Sequence, residues 1–139
     1  MDRRLTSQSR VVVLDTSALL YWTLKPDELT ELAAATTAHA LARNTCMVSA
    51  ISIWEIALKV RQGKLNLHMP TDKFVRRVEL LTGLAIVAVD VPILLRNVAL
   101  PWEHRDPADR TIVATAELHA AALVTSDAAI RQYYDRSVW

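Results

Sequence analysis

Scarcity is informative in this sequence. One cysteine, Cys46, stands in 139 residues. It excludes an internal disulfide and any zinc site built from several cysteines, and it fits a reducing cytoplasm. There are two glycines and no low-complexity tract, so no flexible linker or second domain is expected. No uncharged apolar stretch reaches the roughly 18 residues of a membrane span. Met1-Asp2-Arg3-Arg4 followed by Val11-Val12-Val13-Leu14 imitates a signal peptide, but Asp15 interrupts the apolar run and no small-residue cleavage site follows. Charge of one sign is also lacking: 16 basic and 15 acidic residues leave a net +1, so a polyanion would have to be met by a local patch. The apolar fraction is high at 52% without glycine, against about 45–50% with glycine in typical domains. That excess suits either a helical, alanine- and leucine-rich domain or a surface that meets a second chain.

Residues 1–9 read as a short polar tail and 10–139 as one domain, a length that buries a core without staples. Val11–Leu14, Cys46–Val48, Leu84–Val89 and Ala122–Val124 read as strands, with Ser137–Trp139 as an edge addition. Helices are expected over Ser17–Leu24, Leu29–Arg43, Ile53–Gln62, Asp72–Leu81, Pro92–Ala99, Pro107–Ala121 and Ala128–Tyr134. Strands alternating with helices predict an α/β fold with a mainly parallel sheet flanked by helices. In such sheets ligands bind beyond the carboxyl ends of the strands.

Four acids occupy that edge. Asp15 follows the first strand and Asp127 the fourth; Glu55 lies one turn into the helix after the second. Asp109 opens a helix that must run back to the next strand's start. Each alone is explained by helix-start chemistry. Ser52-x-x-Glu55 fits a capping box, Asp106-Pro107-x-Asp109 a cap followed by proline, and Asp15 and Asp127 simple caps worth about 1 kcal/mol. As a set they point elsewhere. Asp15 ends a strand expected to be buried on both faces, where an unpaired charge is costly. Carboxylates gathered at one edge repel, and a divalent cation removes the repulsion. With few histidines, the donors suit Mg²⁺ or Mn²⁺ better than zinc. Such an ion can activate water against a phosphodiester, and helix N-termini favour phosphate. Ser17, Ser52 and Thr125 are hydroxyls placed to hold a carboxylate or a water. Lys59, Arg105 and Arg110 are the basic residues nearest the acids. For Lys59 the competing reading is an i,i+4 pair with Glu55; for Arg110 it is charge balance beside Asp109. His104 ranks behind a metal-bound water as a base. Trp22 and Trp54 are assigned to packing before base stacking.

Val-Leu-Asp15-Thr-Ser-Ala, Ser49-x-x-Ser52-x-Trp-Glu55, His-Arg-Asp106-Pro-x-Asp109-Arg and Leu-Val-Thr125-Ser-Asp127, in that order, resemble the PIN domain, especially VapC-type toxins. The resemblance runs from about Val11 to the C-terminus. It implies a three-layer α/β/α fold and a Mg²⁺/Mn²⁺-dependent ribonuclease that hydrolyses RNA. It further implies a homodimer and a cognate antitoxin protein. The family's acidic positions carry over to Asp15, Glu55, Asp109 and Asp127, with Asp106 an additional candidate ligand. Ala108 departs from the pattern, where many relatives carry a bulky aromatic residue. Two other classes remain as rivals. A haloacid-dehalogenase-type phosphatase would want Asp-x-Asp after the first strand, and position 17 is serine. A catalytically silent binding module for a partner protein would need none of the four acids.

Overall fold

The computed structural model describes residues 11–139. The polar tail expected over 1–9 lies outside them. Five strands form one sheet: β1 (Val12–Leu14), β2 (Cys46–Ser49), β3 (Leu84–Val87), β4 (Ala122–Val124) and β5 (Ser137–Val138). Every neighbouring pair is parallel, in the order β3-β2-β1-β4-β5. Parallel neighbours need long crossovers, and helices supply most of them. Among the described residues there are seven: α1 (Thr16–Leu24), α2 (Glu31–Ala42), α3 (Ala50–Arg61), α4 (Thr71–Glu79), α5 (Val91–Ala99), α6 (Pro107–Leu118) and α7 (Ala128–Tyr133). None is long and apolar enough to cross a membrane.

Both faces of the sheet are covered, giving the α/β architecture expected. Alternation along β1 shows it directly. Val12 and Leu14 pack into one core with Leu19, Ala33, Ala40, Ile56 and Phe74, whereas Val13 joins a second core with Ile93, Ile112, Ile130 and Leu123. β1 and β4 are buried throughout because they are central. That explains their unbroken apolar sequences.

The order reverses at β1: β2 and β3 build outward on one side, β4 and β5 on the other. The crevice between the carboxyl ends of β1 and β4 is therefore the topological switch point, where open α/β sheets place their ligands. The last residues of the two strands, Leu14 and Val124, are directly paired. Asp15 and Thr125 thus emerge side by side.

Candidate active site

Asp15 leaves β1 and immediately caps α1, its Oδ1 accepting from the Ala18 N–H at 2.8 Å. Its other oxygen accepts from the Thr125 hydroxyl at 2.5 Å. These bonds fix the carboxylate but do not neutralise it. Only 5% of the residue is exposed, and no lysine or arginine pairs with it among the described residues. Burial, opposed by those two hydrogen bonds and reinforced by the charges of Asp109 and Asp127, pushes its pKa up to about 6.

Asp127 leaves the neighbouring strand and caps α7 through the Ile130 N–H. Thr125 holds its backbone as well, accepting from the Asp127 N–H at 3.0 Å. One threonine hydroxyl therefore orders two of the acids. Asp109 reaches the same edge from the start of α6, as the layering predicted. Burial and the charges of Asp106 and Asp127 raise its pKa, against a hydrogen bond from His104. Asp106 itself is exposed and caps α6 by accepting from the Asp109 N–H.

Glu55 arrives differently from the capping-box reading. The cap of α3 is Ser49, which accepts from the Ile51 N–H, and the helix begins at Ala50 rather than Ile53. Ser52 is inside the helix and wholly buried, accepting a hydrogen bond from Thr16 at 2.9 Å. Glu55, three residues on, shares the face of α3 that this bond ties to the start of α1. Its carboxylate stands 3.6 Å from the Lys59 ammonium, and Glu55 is the more buried partner.

The structure thus brings Asp15, Asp109 and Asp127 within electrostatic reach of one another, with Glu55 on a helix bound to the same edge. No group of three or more His, Cys, Asp or Glu side chains among the described residues is gathered closely enough to cage an ion unaided. The donor set still fits Mg²⁺ or Mn²⁺, which commonly take one or two carboxylates and complete the shell with water and phosphate. The buried, uncompensated charge of Asp15 is the observation that fits a cation there.

Other expected site residues fare unevenly. Thr125 does hold Asp15, and Ser52 is bonded as described. Ser17 is exposed and makes no side-chain hydrogen bond among the described residues; the hydroxyl that braces this turn is its neighbour Thr16. Lys59 remains half-exposed beside Glu55. Arg105 is exposed just before Asp106. Arg110 requires correction as a phosphate contact. Its guanidinium donates to the carbonyls of Asn97, Leu100, Trp102 and His104, which binds the end of α5 and the following loop to α6. The sequence reading missed Trp102, which stacks on His104 and on Tyr133. It carried no flag because neither ring lies at helical spacing from it.

The PIN domain family model matches residues 12–136. "Ribonuclease VapC22" of Mycobacterium tuberculosis is 32% identical over 123 residues, which are 88% of this chain and 91% of that protein. Solved structures of similar fold include VapBC2 from Rickettsia felis bound to a DNA fragment from its promoter. It has a TM-score of 0.64 and 17% identity, over 90% of this chain and 94% of that one. FitAcB from Neisseria gonorrhoeae gives 0.63 and 22%, with the same coverage. A toxin–antitoxin complex from Klebsiella pneumoniae gives 0.60 and 21%, over 92% and 96%.

Proposed function

The chain belongs to the PIN-domain family, and from that premise we propose that it is a Mg²⁺/Mn²⁺-dependent endoribonuclease, the toxin of a toxin–antitoxin pair. The observation that carries this reading is the buried Asp15 carboxylate at the switch point, facing the charges of Asp109 and Asp127 with no basic partner among the described residues. Its sequence support is the similarity to a ribonuclease across most of both chains.

Asp15, Glu55, Asp109 and Asp127 would hold the ion, with Asp106 adjoining them as a further candidate. When bound, the ion supplies a water of lowered pKa and neutralises charge on the scissile phosphate. The protein's part is to fix the carboxylates. Thr125 sets the rotamer of Asp15 and the backbone of Asp127, while the Thr16–Ser52 bond docks α3 against α1. The N-termini of α1, α6 and α7 converge with these acids and favour a polyanionic backbone once a cation screens them. Lys59 and Arg105 are the proposed phosphate contacts, both exposed and close in sequence to acids.

Two partners complete the proposal. A cognate antitoxin is supported by the VapBC and toxin–antitoxin complexes that share the fold. A homodimer is supported by α5, where Val91, Leu94, Leu95 and Val98 recur at i, i+3, i+4 and i+7 and lie exposed. The cytoplasm is the proposed location, and the lone buried thiol of Cys46 suits it.

The test is cleavage of single-stranded RNA and of single-stranded DNA by the purified protein in Mg²⁺ or Mn²⁺, with EDTA as control. Cation-dependent cutting of RNA alone is expected. Absence of both cutting and Mn²⁺ binding would instead mark a binding module.

A further inference from the structure

We propose that His104 is a positioning residue for Asp109: it fixes one carboxylate oxygen so that the other stays free for the cation. This inference rests on the metal-site reading above. The imidazole Nε2 lies 2.8 Å from Asp109 Oδ2. A carboxylate only accepts, so the ring nitrogen donates. Oδ1 of Asp109 has no hydrogen-bond partner among the described residues. The bond therefore sorts the two oxygens into one that is held and one that is available.

The imidazole is held by stacking, and the loop that carries it is held through its backbone. Its ring stacks on Trp102, with centroids 4.6 Å apart and planes 22° apart. Trp102 stacks in turn on Tyr133, at 4.7 Å and 12°. Tyr133 belongs to α7, the helix that Asp127 caps. The backbone of the same loop is tied down by Arg110, which donates to the carbonyls of Trp102 and His104 and follows Asp109 directly in α6. A side chain needed only to fill space would not require this double restraint. A donor that must present its N–H to one oxygen in one direction does. The ring ladder also joins the frames of Asp109 and Asp127, so the two acids are referenced to each other through side chains outside the acidic edge.

Two substitutions separate positioning from packing. His104→Phe keeps a stacking ring and removes the donor; His104→Gln removes the ring and keeps a donor. The first readout is the Mn²⁺ dissociation constant of the purified protein, by calorimetry or electron paramagnetic resonance. The second is kcat and KM for RNA cleavage in Mg²⁺. His104→Phe is expected to bind Mn²⁺ roughly 10–100-fold more weakly, as losses around a ligand typically do, and to lose kcat with KM little changed. His104→Gln, which keeps a donor but loses the stacking on Trp102, is expected to fall between wild type and His104→Phe. If His104→Phe fails to fold by circular dichroism, His104→Ala replaces it, with the same expectation. Wild-type Mn²⁺ affinity in His104→Phe, or Gln impaired as much as Phe, would overturn the proposal. Wild-type protein that binds Mn²⁺ without cutting RNA would sink the nuclease reading and leave the affinity comparison to decide this one. Wild-type protein that binds no Mn²⁺ would overturn both.

Discussion

Asp15 carries its charge in surroundings that oppose it. Its pKa in the folded chain rises from 3.8 to about 6, so between those values the folded state holds a proton that the unfolded state has released. Stability linked to that proton is fully present below about pH 4 and is lost as pH rises through 6. The cost at neutral pH is on the order of 3 kcal/mol. Asp109 is shifted in the same direction. Asp15→Asn keeps an oxygen for the Ala18 N–H and removes the charge. In EDTA, urea unfolding should show the variant gaining on wild type as pH rises from 4 to 7, by up to about 3 kcal/mol. Added Mg²⁺ should shrink the gap by stabilising only wild type. A pH-independent difference would mean the carboxylate is better solvated than its burial indicates. This residue was legible in the sequence because a charge at the end of a buried apolar strand contradicts its context. Glu55 was less so: the Ser52-x-x-Glu55 spacing imitates a cap, and only the Thr16–Ser52 bond across 36 residues shows what Ser52 does.

At the scale of elements, strands and helices were readable from apolar runs and periodicity, and misreadings fell where a boundary lacked its usual residue. The sequence pattern carries α6 to Ala121. The helix stops at Leu118, and Ala120 takes the left-handed conformation, φ +50°, that glycine usually fills. α3 starts three residues early because Ser49, the last residue of β2, caps it with no intervening loop. The role of Arg110 could not be read at all, since its partners are backbone carbonyls, which leave no side-chain pattern. It satisfies carbonyls at the end of α5 that the helix cannot. Arg110→Met should therefore destabilise the fold by about 2–3 kcal/mol in urea unfolding. Unchanged stability with weakened RNA binding would restore Arg110 to the phosphate contacts.

For the whole molecule, the strand order was not derivable from residue patterns, yet it is what assembles the site. Parallel pairing of every neighbour routes each connection back along the sheet through a helix, and the reversal at β1 puts Asp15 and Thr125 side by side. The apolar excess in composition has a counterpart on α5, where Leu95 is 67% and Val98 81% exposed. For the proposed homodimer through α5, paired substitution of Leu95 and Val98 by glutamate should shift sedimentation from dimer to monomer, weakening self-association at least about 100-fold, since buried unpaired carboxylates are strongly disfavoured. A dimer unchanged by the pair would place the interface elsewhere. The proposed site requires the acids to act together on one cation. Its most direct measurement is RNA cleavage by purified wild type and Asp15→Asn at equal concentration in Mg²⁺, with folding checked by circular dichroism. Wild type should cut and EDTA should abolish the cutting, whereas a folded Asp15→Asn should show none above background. Cleavage by Asp15→Asn at the wild-type rate would contradict that requirement.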